Sequence, residues 1–225
     1  MNILLTGGAG YIGSNVAIAL LDSGYNVTII DNLSTGNECL IPPKSEFIKC
    51  NINESTIIEN LLKKEKFAAV IHFAGSIKVE ESVNNPEKYF DNNTNNSKKF
   101  FDVCINNGLS NIIFSSTASI YGNLKQDKLV SENNEIQPLN PYGESKVKTE
   151  EYLLNLNVNK INYIILRYFN VAGADLKLRS GLISKEPSHL IKIISEVAVG
   201  KRDKLTIFGN NYNTFDGTAI RDYLH

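Results

Sequence analysis

The sequence has no tryptophan, one methionine, three histidines and three cysteines. Cys39, Cys50 and Cys104 are scattered and odd in number. They build no disulfide framework and suit reduced thiols in a cytoplasmic protein. An excess of either charge is also lacking: 23 Lys and Arg stand against 24 Asp and Glu, for a net charge of −1. Without a global basic field, no grip on nucleic acid or on an anionic membrane is expected. No apolar run approaches the roughly 20 residues of a membrane span. The opening Met1-Asn2-Ile3-Leu4-Leu5 has no basic segment and runs at once into glycines, so it does not read as a secretory leader. What is present is ordinary for a globular chain: 42% hydrophobic and 21% charged residues. A length of 225 residues suffices for one sizeable core, or for one large domain and part of a second.

Short apolar runs alternate with helical patterns. Residues 2–6 read as a strand that stops at Thr6-Gly7-Gly8-Ala9-Gly10, and a helical pattern follows over 11–21 and ends at Gly24. Strands are predicted at 27–30, 47–48, 69–73, 111–114 and 161–166. Helices are predicted at 54–66, at 86–107 as one long element opened by Pro86 and stopped by Gly108, and from Pro141 to about residue 155. Strands alternating with helices imply an α/β fold, a doubly wound parallel sheet covered on both faces. Past Arg167 the rhythm weakens to a helical segment at 188–199 and a short β run at 205–208. The organisation expected is one large domain over 1–170 and a second, smaller region over 171–225.

Gly8-Ala9-Gly10-Tyr11-Ile12-Gly13 fits G-x-G-x-x-G between a strand and a helix. Glycines there allow a tight turn and let backbone N–H groups approach a pyrophosphate at a helix N-terminus. Asp31 closes the next strand, where a carboxylate can bond the adenosine ribose and repel a 2′-phosphate, so NAD is favoured over NADP. Tyr142 and Lys146, four apart at the start of a helix, share a face. A cation about 6 Å from the phenol, at an effective dielectric of ~20, favours the phenolate by roughly 3 kcal/mol. That makes Tyr142 an acid/base for a hydroxyl–carbonyl conversion, its pKa expected to fall under the influence of Lys146. Ser115, Ser116 and Thr117 follow an apolar strand whose carboxyl end faces the ligand crevice. His72 reads as a structural residue at a strand end, with no second histidine at ligand spacing, and no metal site is expected. His189 reads equally as lining a nucleotide or as part of a helix face.

Together these residues resemble the extended short-chain dehydrogenase/reductase family and, within it, the UDP-glucose 4-epimerases. The likeness runs along the whole chain. It is carried by residues 7–14, Asp31-Asn32-Leu33, His72-Phe73-Ala74-Gly75, Asp91-Asn92-Asn93, the run 114–122, Pro141-Tyr142-Gly143-Glu144-Ser145-Lys146, Arg167-Tyr168-Phe169-Asn170, Ile207-Phe208-Gly209, and Asp216-Gly217-Thr218 with Arg221-Asp222-Tyr223. The resemblance implies that Tyr142 takes the proton of the sugar 4-hydroxyl while NAD takes the C4 hydride, with Lys146 and Thr117 completing the catalytic set. It further implies a cofactor site of Gly7, Gly10, Tyr11, Ile12, Gly13, Asp31, Asn32, Asn51, Ile52, Phe73, Ala74, Asn92, Ser115, Tyr142, Lys146 and Tyr168. Thr117, Tyr142, Asn170, Leu190, Phe208 and Arg221 would face a UDP-sugar, Arg221 near the diphosphate. A homodimer through residues 86–107 and 141–156 is implied as well.

Two relatives are set apart by the strip after Thr117. Dehydratases of the family carry an Asp-Glu pair there, where this chain has Ala118-Ser119, and UDP-glucuronate decarboxylases usually carry Glu in place of Ser119. Asn51 stands where the family commonly has Asp against the adenine amino group; its side-chain oxygen still accepts that bond without charge assistance. One branch places Lys at the position of Ile77, and Lys78 lies one residue off, so it takes no role. Members of the family are longer than this chain, which ends inside one of the motifs. The alternatives to a working epimerase are therefore a truncated NAD-binding remnant or another NAD-dependent sugar-nucleotide enzyme such as the decarboxylase.

Overall fold

The computed structural model describes residues 1–123, 129–156, 161–184 and 187–225. In chain order its elements are β1 (Asn2–Thr6), α1 (Tyr11–Asp22), β2 (Asn26–Asp31), β3 (Glu46–Lys49), α2 (Ser55–Lys64), β4 (Ala69–His72), α3 (Val79–Asn84), α4 (Pro86–Tyr89), α5 (Asn96–Asn106), β5 (Asn111–Ser115), α6 (Pro141–Leu154), β6 (Asn162–Leu166), β7 (Asn170–Val171), α7 (Leu190–Ala198) and β8 (Tyr223–Leu224). β1 to β6 form one sheet in the order β3-β2-β1-β4-β5-β6, every pairing parallel. The doubly wound parallel sheet expected from the alternation is present, and its strand order reverses between β1 and β4. That reversal opens a crevice at the carboxyl ends of the strands, where such sheets take their ligands.

The period of two along each strand sends alternate side chains to opposite faces. Leu4, Ile30, Val70, Ile112 and Phe114 meet Ile58, Leu61 and Leu62 of α2, Phe100, Phe101 and Cys104 of α5 and Leu153 of α6. Ile3, Leu5, Val27, Ile29 and Ile71 meet Ala17 of α1 on the other face. Both faces of the central strands are dry, as parallel sheets require.

Two sequence expectations fail. The single helix over 86–107 is three pieces, α4, a π-helical segment at Phe90–Asn95, and α5. The β run at 205–208 is not a strand: its residues pair with nothing and are exposed, Phe208 to 91%. The short strand of that region is instead β8, parallel to β7 through Asn170↔Tyr223 and Val171↔Leu224.

Candidate active site

The loop after β1 is built by close approach of backbone to backbone. Gly7 has φ +71°, and a Cβ there would lie 2.6 Å from the Ala74 nitrogen; at Gly13 a Cβ would lie 2.2 Å from the Gly7 carbonyl oxygen. Only hydrogen fits at either position. Gly10 N–H donates to Gly7 C=O at 3.1 Å. α1 then starts with no side-chain cap and no acidic residue in its first turn, so its leading N–H groups face the crevice with the positive end of the helix dipole. Asp31, at the end of β2, is buried beside this loop and accepts from the Ala9 N–H at 3.0 Å and the Leu33 N–H at 2.8 Å.

Across the reversal point, Phe73 and Ala74 leave β4, donating to the Thr6 carbonyl at 3.1 Å and the Thr6 hydroxyl at 3.3 Å. His72 is fully buried among Phe100, Phe101 and Phe114. Its Nδ1 and Nε2 bond the hydroxyls of Thr6 (2.8 Å) and Ser97 (2.9 Å). Burial first, then the nearby Lys146 charge, drives its pKa down to about 3. It is a neutral, fully bonded strut, as its strand-end position suggested.

The carboxyl end of β5 carries the densest polar cluster. The Ser115 hydroxyl bonds the Tyr168 phenol, and the Ser115 carbonyl accepts from the Lys146 ammonium at 2.9 Å. Lys146 is 3% exposed, with its ammonium 5.0 Å from the centre of the Phe114 ring. Burial pulls its pKa down to about 8, while the Glu150 carboxylate holds it up. Tyr142 is partly buried, one turn before Lys146 on α6, with Tyr89 packed edge-on against its ring at 6.4 Å.

Burial raises the Tyr142 pKa, and the nearby Thr117 hydroxyl pulls it the other way. This reverses the expectation of a phenol lowered by Lys146. The ammonium is turned to the Ser115 carbonyl under Phe114, and desolvation, which penalises the phenolate, dominates. Tyr168 is pushed up to about 12, by burial first and also by Tyr142.

Tyr142, Lys146, Thr117, Ser115 and Tyr168 are thus brought together, and Gly7, Gly10, Tyr11, Ile12, Gly13 and Asp31 line the neighbouring cradle. Asn92 lies at the edge, its side-chain amide donating to the Ser76 hydroxyl at 3.2 Å. Asn51 is half-buried and Ile52 is part of the core after β3. Asn32 is exposed, its side-chain oxygen accepting from Ser34 N–H at 2.9 Å. The remaining residues are spread out. Asn170 bonds the Asp222 carbonyl through both its backbone and its side-chain nitrogen. Leu190 (43%) and Phe208 (91%) are exposed, and Arg221 donates only to its neighbour Ile220, among the described residues.

Three residues given no role in the sequence reading hold this site. Asn93, 1% exposed, accepts from Ser76 N–H at 2.7 Å and donates to Ser76 C=O and the Ser145 hydroxyl. Glu150, also 1% exposed, takes a bond from the Ser116 hydroxyl and pairs with Arg167 at 2.6 Å. Asn93 and Arg167 stand inside quoted motifs, but nothing in the sequence marks Glu150 as buried.

The pattern defining the NAD dependent epimerase/dehydratase family matches residues 3–225. The chain belongs to that family. A UDP-glucose 4-epimerase of Azospirillum brasilense is 42% identical over 224 residues, which are 99% of this chain and 64% of that protein. A crystal structure of a UDP-glucose 4-epimerase superposes with a TM-score of 0.95 at 38% identity, covering all of this chain and 68% of the other. The UDP-glucose 4-epimerase of Brucella ovis in complex with NAD superposes at 0.93 and 38% identity, covering all of this chain and 69% of its own. The chain spans about two thirds of the length of these relatives. The family's dinucleotide fits the residues present: the cradle is one that any Cβ at Gly7 or Gly13 would fill, and the helix start behind it is uncapped.

Proposed function

We propose that this chain interconverts UDP-glucose and UDP-galactose by oxidation and re-reduction at C4 of the sugar. The observation that carries the reading is the meeting of Tyr142, Thr117, Ser115 and Lys146 at the carboxyl ends of the strands, beside the glycine cradle. Gly7, Gly10, Tyr11, Ile12 and Gly13 would hold the diphosphate of NAD, Asp31 and Asn32 its adenosine ribose, Asn51 and Ile52 its adenine. Phe73, Ala74, Asn92, Ser115, Lys146 and Tyr168 would line the rest of the cofactor. Bound NAD supplies an acceptor, and then a donor, for the C4 hydride.

The chain's own part is proton handling. The Tyr142 phenolate oxygen takes the 4-hydroxyl proton as C4 becomes a carbonyl and returns it as C4 is reduced on its other face. Thr117 shares that proton by hydrogen bonding both oxygens. Burial raises the Tyr142 pKa, and the positive nicotinamide ring of bound NAD would, together with the Lys146 ammonium, favour the phenolate. A single acid/base suffices for epimerisation, and positions 118 and 119 hold alanine and serine rather than the carboxylates of the related dehydratases and decarboxylases. Asn170, Leu190, Phe208 and Arg221 are the proposed UDP-sugar contacts. A cytoplasmic homodimer through α4–α5 and α6 belongs to the same reading.

Tyr142→Phe tests it. The variant is expected to retain bound NAD, measured by release and absorbance, and to lose at least about a hundredfold in conversion of UDP-galactose. Near-parental turnover would sink the mechanism.

A further inference from the structure

Glu150 lies one turn beyond Lys146 on α6, so the two share a face, and it is 1% exposed. Its carboxylate takes Arg167 in a fork, with Nε–Oε2 at 3.1 Å and Nη2–Oε2 at 2.6 Å. Its second oxygen accepts from the Ser116 hydroxyl. Arg167 in turn reaches the Tyr121 hydroxyl at 3.1 Å and lies over the Tyr121 ring at 5.5 Å. One carboxylate therefore ties three things together. They are the helix that carries Tyr142 and Lys146, the segment from Ser115 to Tyr121 that carries Thr117, and the chain just after β6 that carries Tyr168.

A buried ion pair of this kind is poor value for stability alone, because desolvation offsets much of its attraction. What it does well is fix relative position, since breaking either half leaves a charge stranded. Resting on the reading of Tyr142 and Lys146 as the proton-handling pair, we propose that Glu150 is the site's positioning residue, which locks α6 onto the end of β5 and sets its carboxylate on the same buried helix face as the Lys146 ammonium.

The surroundings of Lys146 leave this work to Glu150. β5 offers it the Phe114 ring and the Ser115 carbonyl, neither charged. β4 presents His72, neutral at ordinary pH. The π-helical segment offers the Asn93 amide, near Lys146 across Gly75. Tyr142, on α6 itself, has its pKa raised by burial. Arg167 is cationic and bound by Glu150, so on these elements Glu150 is the anion that sustains Lys146.

The test titrates Lys146 directly in the 225-residue chain labelled with 13Cε-lysine, its NMR signal assigned by its loss in Lys146→Met. Glu150→Gln is expected to move the Lys146 midpoint down by about one pH unit, and Arg167→Met, which leaves Glu150 unshared, to move it up. The alkaline limb of kcat follows, so that near pH 8 turnover of Glu150→Gln falls about fivefold with KM little changed. If Glu150→Gln does not fold, the double variant with Arg167→Met, which strands no buried charge, carries the expectation of loss: its Lys146 midpoint lies below that of Arg167→Met alone. A folded Glu150→Gln, or the double variant in its place, whose Lys146 titrates unchanged from its reference overturns the proposal. Opposite shifts in a chain that does not convert UDP-galactose would instead overturn the functional reading and leave the counter-charge role standing.

Discussion

His72 shows what burial does to a single titratable group. Its pKa of about 3 in the folded chain lies well below its ordinary value near 6.5. Between those two values the unfolded chain binds a proton that the folded chain refuses. The stability this confers is complete above about pH 6.5 and is lost as pH falls toward 3. Urea denaturation at about pH 7 and about pH 5 should therefore show a fall in midpoint on acidification. In His72→Gln that fall should shrink, by up to ~1.4 kcal/mol per pH unit. An unchanged slope in the variant would show that other groups govern the acid limb.

Tyr142 makes the companion point. Lys146 was legible as its neighbour from spacing, because four residues make about one helical turn, and Thr117 from its place at a strand end facing the crevice. The sign of the Tyr142 pKa shift was not, because spacing does not say which way an ammonium points or how dry the phenol is.

At the scale of elements, the segment from Pro86 to Asn106 carries the main departure from the sequence reading. Its pattern reads as one helix despite the weak helix formers Asp91, Asn92, Asn93, Thr94, Asn95 and Asn96, and only the backbone shows the π turns at Phe90–Asn95. Those turns place Asn93 inward, where it bonds Ser76 of the loop after β4 and Ser145 of α6. π-helical turns inside helices commonly mark functional sites. Asn93→Ala should cost about 1–3 kcal/mol in urea denaturation, since it strips partners from buried Ser145 and from Ser76. A cost near zero would mean that water replaces the amide freely.

The run at 205–208 errs in the other direction. Leu205-Thr206-Ile207-Phe208 has the residue types of a strand, but a strand also needs an edge to pair with, and local composition does not reveal one. Glu150 was illegible for a related reason. A glutamate in the middle of a helix reads as solvated, and only Ser116 and Arg167, 34 and 17 residues away in the chain, turn it into a buried anion.

For the whole molecule, the parallel sheet followed from alternating strands and helices, a signal repeated often enough to survive local error, and the glycine cradle from its motif; the strand order with its reversal between β1 and β4 is seen in the structure. The doubly wound order then places the cradle after β1 and the Tyr142 cluster at the end of β5 on the same side of the sheet, with only β4 between those strands, although they lie far apart in sequence. The account stands or falls on whether C4 of a UDP-sugar is oxidised and re-reduced there. UDP-galactose deuterated at C4, incubated with the NAD-loaded chain, measures this directly. The expected product is UDP-glucose with the deuterium still at C4, none of it exchanged with solvent. No conversion by a folded, NAD-loaded chain, or a product that has traded its label for a solvent proton, would contradict the account.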